Sequence, residues 1–214
     1  LTGETYEVEN GYVLTKEGYY KIIAYDKAGN QSDVWNLTID NAAPVITIEN
    51  ARENNYYNHD VKVNISDIEL NQTYLDGKRM GRTDALTVTE EGTHTVYAVD
   101  NYGHKSEEIT FTVDKTQPTI NINNWVTLTK NVGDTYVDEG ATATDNIDGD
   151  LTNKITVEYV YYDEQGIRYT PNPTEIKLDK PGQFVIIYKV TDQAGNKREL
   201  SRRINVVGDI TAPV

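Results

Sequence analysis

The chain has 214 residues, no cysteine, a formal net charge of −14 and a pI near 4.6. That balance excludes nucleic acid, whose phosphates call for clustered Lys and Arg, and it argues against an anionic membrane surface. No run of about 18 apolar residues is available to cross a bilayer. Sixteen Tyr with many Val and Thr favour strands, because branched and aromatic side chains suit a pleated surface. No segment shows sustained i, i+3, i+4 apolar spacing. A cysteine-free, acidic, Thr- and Asn-rich β-protein fits a bacterial exported protein better than a secreted eukaryotic one. The chain begins without Met and stops at "DITAPV". It is therefore expected to be a piece of a longer protein.

In chain order, the first predicted strand is "GYYKIIAYD" at 18–26, with Tyr20, Ile22 and Ala24 on one face. The turn "DKAGN" follows, then "LTID" and the link "DNAAPV". Next come the strand "VKVNI" at 61–65 and "GTHTVYAVD" at 92–100, whose His94, Val96 and Ala98 share a face. The turn "DNYGH" and the link "DKTQPT" close this copy. Further on, "ATDNIDGDLTN" at 143–153 is an acidic loop and "ITVEYVYY" at 155–162 a strand. In "GQFVIIYKVTD", Phe184, Ile186, Tyr188 and Val190 fall on one face, before the turn "DQAGN" and the link "DITAPV". Pro suits a short, stiff joint or a first strand, since it cannot donate to a ladder.

These elements repeat. Gly18 and Gly92, Asp26 and Asp100, Asp40 and Asp114, and Pro44 and Pro118 are each 74 residues apart. Leu1-Thr2-Gly3 falls on Leu75-Asp76-Gly77 in the same frame. Residues 1–41 thus match the second half of a repeat whose full copy is 42–115. A longer relative of it covers 116–210, and 211–214 would begin the next link or domain. A 41-residue half sandwich is expected to expose its core face.

The segments "EGYYKI", "EGTHTV" and "PGQFVI" keep Gly-x-aromatic-x-apolar, which resembles the entry to strand F of immunoglobulin domains. Tyr20, His94 and Phe184 fall at the tyrosine-corner position, and only Tyr20 has the hydroxyl. With "TIDNxAPVI", the chain resembles tandem bacterial immunoglobulin-like (Ig-like) domains of exported Gram-positive surface proteins. "GDTYVDEGATATDNIDGDLT" resembles a subtype also found in pesticidal crystal toxins. The resemblance implies an all-β fold of tandem Ig-like antiparallel β-sandwiches arranged as a rod. It also implies an extracellular, secreted or wall-attached location, with neighbouring domains of the same polypeptide as the first partners.

The recurring turns have a structural reading. Asp26, Asp100 and Asp192 can accept backbone N–H bonds from their own turns. Gly29, Gly103 and Gly195 supply the positive φ such turns need. The alternative reading gives these Asp a share in a cation near a domain junction. The richest local cluster, Asp145, Asn146, Asp148 and Asp150, offers oxygens of the kind Ca²⁺ takes, although it is not an EF-hand. Asp145 capping a turn is the structural alternative. No cofactor is required by the sequence; Ca²⁺ is the candidate.

No catalytic residue is identified. His59, His94 and His104 lack zinc spacing, and no nucleophile elbow or phosphate loop is present. Trp35, Trp125, Tyr56, Tyr57, Tyr159, Tyr161, Tyr162 and Tyr169 could stack on sugars. The expected function is a non-catalytic spacer that presents other domains. The alternative is an adhesive or carbohydrate-binding module for a glycan or host protein, including an accessory to a secreted glycoside hydrolase. No nucleic-acid partner or membrane insertion is expected.

Overall fold

The computed structural model describes residues 5–170 and 176–208. The overlay of Leu1-Thr2-Gly3 and the link at 211–214 lie outside the described residues. The chain is all-β and Ig-like. Strands β1 (Gly18–Ile22) and β2 (Trp35–Ile39) pair antiparallel as a two-stranded sheet.

Eight strands follow: β3 (Val45–Ile48), β4 (Tyr56–Tyr57), β5 (Val61–Ser66), β6 (Leu70–Leu75), β7 (Lys78–Gly81), β8 (Ala85–Val88), β9 (Gly92–Asp100) and β10 (Ile109–Val113). They sort into a three-stranded sheet, β3-β5-β8, and a five-stranded sheet, β4-β10-β9-β6-β7. The last eight are β11 (Thr119–Ile122), β12 (Leu128–Asn131), β13 (Ala141–Asp145), β14 (Gly149–Asp150), β15 (Thr156–Tyr162), β16 (Arg168–Tyr169), β17 (Gly182–Thr191) and β18 (Lys197–Val207). They form β11-β13-β14 and β12-β18-β17-β15-β16. Among the described residues, β4 with β10 and β12 with β18 pair in parallel. The only helical turn among the described residues is 3₁₀, Thr152–Lys154.

By contacts the chain divides into two compact units. One comprises Leu1–Asn50, Lys62–Thr87 and His94–Thr110, the other Ala51–Val61, Val88–Thr93 and Phe111–Val214. In the second unit the core is built from alternate residues of its strands. Phe184, Ile186, Tyr188 and Val190 of β17 are buried with Ile204 and Val206 of β18 and Ile120 and Ile122 of β11. Each buried aliphatic or aromatic side chain there contributes roughly 1.5–3 kcal/mol. Two polar groups share this core. The Tyr188 hydroxyl bonds Asp138 Oδ1 at 2.5 Å, and burial followed by that bond drives its pKa upward. The Arg202 guanidinium, almost fully buried, donates from Nη1 to the Tyr136 hydroxyl at 2.6 Å and from Nη2 to the Asn123 carbonyl.

In the first unit the same alternation buries His94, Val96 and Ala98 of β9. His94 meets Asp76 Oδ2 at 2.8 Å through Nδ1. The face of β1 that would line a core is largely open, as expected of a half sandwich. Tyr20 is half-buried, while Ile22 and Ala24 are exposed. The period-2 pattern is present, but β1 and β2 form a sheet of two strands, and burial of a sheet face requires a second layer. Tyr20 does donate its hydroxyl to the Lys16 carbonyl four residues upstream, at 2.5 Å.

Candidate metal centres

The three recurring turns share one geometry. Asp26 Oδ1 accepts the N–H groups of Ala28 at 2.8 Å and Asn30 at 2.9 Å, and Oδ2 accepts the Asn30 amide at 2.7 Å. Asp100 Oδ1 accepts Tyr102 and His104 N–H, both at 2.8 Å, and Oδ2 meets the His104 ring at 2.6 Å. Asp192 is held by the Asn196 N–H and side-chain amide, both at 2.8 Å. Gly29, Gly103 and Gly195 sit at φ of 84°, 91° and 92°, a region that favours glycine. The Asn30 side chain and the turn N–H groups hold the Asp26 carboxyl below its ordinary value. For Asp100, burial pushes the carboxyl up, but bonds from His104 and Tyr102 outweigh it and the net shift is downward.

Two of these turns enter larger groupings. Asp40, Asp67 and Asp100 bring one carboxylate oxygen each within 4.8 Å of one another, and so do Asp114, Asp145 and Asp192. Each trio lies inside one compact unit. The members have matching origins. Asp40 and Asp114 follow a strand and open a Pro link, Asp67 and Asp145 sit at the end of β5 and β13, and Asp100 and Asp192 open the recurring turn.

Local bonds set these positions. Asn101 joins the Asp100 turn to the Asp67 loop, its N–H donating to the Glu69 carbonyl at 2.9 Å and its amide to the Glu69 carboxylate at 2.8 Å. The Tyr102 hydroxyl donates to the Thr38 carbonyl, two residues before Asp40. In the second trio, the Asn196 amide donates to the carbonyls of Asp114 at 2.8 Å and Thr116 at 3.1 Å.

The electrostatics are unfavourable as the residues stand. Two unit negative charges 4.8 Å apart repel by roughly 3–4 kcal/mol at an effective dielectric of about 20. Among the described residues no Lys or Arg pairs with any of the six carboxylates, and the one ring partner is His104, whose Nδ1 meets Asp100 Oδ2. Burial first, and then repulsion from Asp145 and Asp192, push the Asp114 carboxyl up to about 6. Asp67 moves the same way, through burial and then the charges of Asp40 and Asp100, against the Glu69 N–H. Asp40, Asp114 and Asp145 each keep one buried Oδ2 without a hydrogen-bond donor.

The loop set of Asp145, Asn146, Asp148 and Asp150 is not gathered. Asp145 Oδ1 accepts the N–H groups of Ile147 and Asp148 at 2.8 and 3.0 Å, and its partners in the trio come from distant turns. Asp148 instead receives the N–H and side-chain amide of Gln193, both at 2.7 Å. Asp150 accepts the Thr152 N–H at the start of the 3₁₀ turn, and Asn146 is exposed. The sequence reading missed Asp67 and treated Asp40 and Asp114 only as repeat landmarks. The clue available was that both Asp recur in frame with the turn Asp.

Of the aromatic candidates, Trp35 is 72% exposed and Trp125 64%, while Tyr57 is fully buried and unavailable. Tyr56, Tyr159, Tyr161 and Tyr162 are half-buried, and Tyr169 is exposed. An open groove of about 640 Å³ runs beside Tyr136, Asp138, Tyr159 and Asp179.

No family model matches the chain. An alignment of 171 residues, covering 73% of the chain, is 32% identical to the outer cell wall protein of Brevibacillus brevis (strain 47 / JCM 6285 / NBRC 100599). The chain spans only 16% of that protein's length. Among solved structures, three N-terminal domains of the bacteriophage RB49 Highly Immunogenic Outer Capsid protein (Hoc) superpose with a TM-score of 0.47 at 14% identity, over 89% of this chain and 78% of that one. Fibronectin(III)-like modules of Clostridium thermocellum CbhA give 0.33 at 15%, over 77% and 95%.

Proposed function

We propose that this segment is a non-catalytic structural part of a bacterial extracellular or cell-surface protein, spacing and presenting the domains that flank it. The observation that carries the reading is the bonding around the second link. The Arg52 guanidinium donates to the Ala194 carbonyl at 2.8 Å, the Asn54 amide to the Gln193 carbonyl at 2.9 Å, and Asn196 to the carbonyls of Asp114 and Thr116. These four side-chain bonds tie a loop, the Pro link and a turn together within the second unit, and they restrict local bending more than a flexible linker would. Likeness to a cell wall protein supports the location.

The chain lacks native Cys, so spin labels can be placed at Glu53→Cys and Lys197→Cys, both in the second unit. A narrow distance distribution that broadens in the Arg52→Ala/Asn196→Ala variant is expected. A distribution already broad in the parent would sink the spacer reading. The rival reading, a glycan-binding module, draws on exposed Trp35 and Trp125 and the groove beside Tyr136. Retention on a glycan array, abolished by Trp125→Ala, would favour it.

A further inference from the structure

We infer that the trios Asp40/Asp67/Asp100 and Asp114/Asp145/Asp192 are two equivalent Ca²⁺ sites, one in each compact unit. The inference goes beyond the spacer reading and does not depend on it.

Spacing is the first argument. Ca²⁺ holds oxygens at 2.3–2.6 Å, so two ligands on opposite sides of one ion are at most about 5 Å apart. One oxygen from each carboxylate lies within 4.8 Å of the others in both trios. A single ion can therefore touch all three.

The second argument is independent of the clustering. Asp114 is fully buried and Asp40 is 6% exposed, yet each keeps an oxygen that no donor reaches. Asp145 Oδ2 is in the same condition. Buried carboxylate oxygens are ordinarily hydrogen-bonded or metal-bound, because an unpaired one forfeits its hydration. The donors present serve the outer oxygens of the turns and leave these three unserved.

Recurrence is the third. The first two members are 27 residues apart in one trio and 31 in the other, and the last two 33 and 47 apart. The connecting loops differ, while the three contributing positions are the same. Repulsion among three carboxylates would be relieved by any of several substitutions, and both copies keep all three.

Donor chemistry selects the ion. The ligands are hard oxygens with no Cys, and the one nearby imidazole, His104, is engaged with Asp100 Oδ2. Zinc favours nitrogen and sulfur. Mg²⁺ demands near-ideal octahedral geometry and keeps most of its waters, whereas Ca²⁺ takes six to eight oxygens from flexible carboxylates, carbonyls and water.

The test uses the whole 214-residue chain, stripped with EDTA and titrated with CaCl₂ in a calorimeter, with MgCl₂ as a parallel arm. Asp114→Asn should lose one bound Ca²⁺, Asp40→Asn one, and the double variant both. Asn keeps the Oδ1 acceptor of each turn, and far-UV circular dichroism verifies folding. Asp150→Asn, outside both trios, should lose none. The parent's thermal midpoint should rise with CaCl₂, and MgCl₂ should give a smaller rise at equal concentration. Ca²⁺ stoichiometry unchanged by Asp40→Asn and Asp114→Asn overturns the assignment, as does a midpoint indifferent to EDTA and CaCl₂. Should a variant fail to fold, loss of one Ca²⁺ in Asp67→Asn or Asp145→Asn decides the same question.

Discussion

Asp114→Asn in the metal-free protein tests the electrostatic description most directly. The Asp114 carboxyl is moved from its ordinary 3.8 to about 6 by burial and by Asp145 and Asp192. The folded state then holds more protons than the unfolded state between those two values. Stability is therefore fully retained below about pH 4 and falls as pH rises through about 6. Displacement over that interval corresponds to up to about 3 kcal/mol, reduced where water screens the trio. In a domain of 60–100 residues each kcal/mol moves the midpoint by about 4–8 °C. The assay is the midpoint of the unit holding Asp114, followed by circular dichroism in EDTA from pH 4 to 7.5. The parent should lose on the order of 10 °C over this range relative to Asp114→Asn, and the variant should be the more stable of the two at pH 7. CaCl₂ should reverse the order at pH 7, because only the parent gains an ion. Parallel pH profiles for the two proteins, or a less stable variant at pH 7 in EDTA, would refute the reasoning.

Three other substitutions probe the scaffold that carries the second trio. At Gly182 φ is +144°, and an added Cβ would lie 2.3 Å from the Tyr162 carbonyl. Gly182→Ala should cost several kcal/mol, whereas Gly195→Ala, at positive φ but facing open space, should cost about 1 kcal/mol; urea denaturation compares them. Arg202→Ala removes a buried guanidinium and strands the Tyr136 hydroxyl and Asn123 carbonyl, so it should cost about 3–5 kcal/mol in the same assay.

The strands of this chain were readable because their period is local. In β17 and β9, alternate residues announce the buried face over five or more positions, and the turn residues mark each reversal. The β1 face carried the same signal but not its consequence, since Ile22 and Ala24 are buried only where a second sheet covers them. The acidic trios were harder for the opposite reason. Asp145, Asp148 and Asp150 are close in sequence, so they drew attention. Proximity in the fold belongs instead to Asp114 and Asp192, brought in by a link and a hairpin. A fixed 74-residue frame could pair Asp40 with Asp114 and Asp26 with Asp100. It carries Asp67 onto residue 141, four short of Asp145, because the intervening loop is longer in the later copy.

The two parallel registers bear on how the chain would respond to tension. β12 lies early in the last set of strands and β18 at its end, and they run side by side in the same direction through four residue pairs, Leu128↔Ile204 to Asn131↔Val207. A pull on the two ends of that segment drags these strands past each other along their length. Their ladder bonds are loaded together in shear, rather than opened one after another like a zip. The pair β4 and β10 has the same orientation over two residue pairs. It is a shorter clamp of the same kind, and so the first to yield under a rising load.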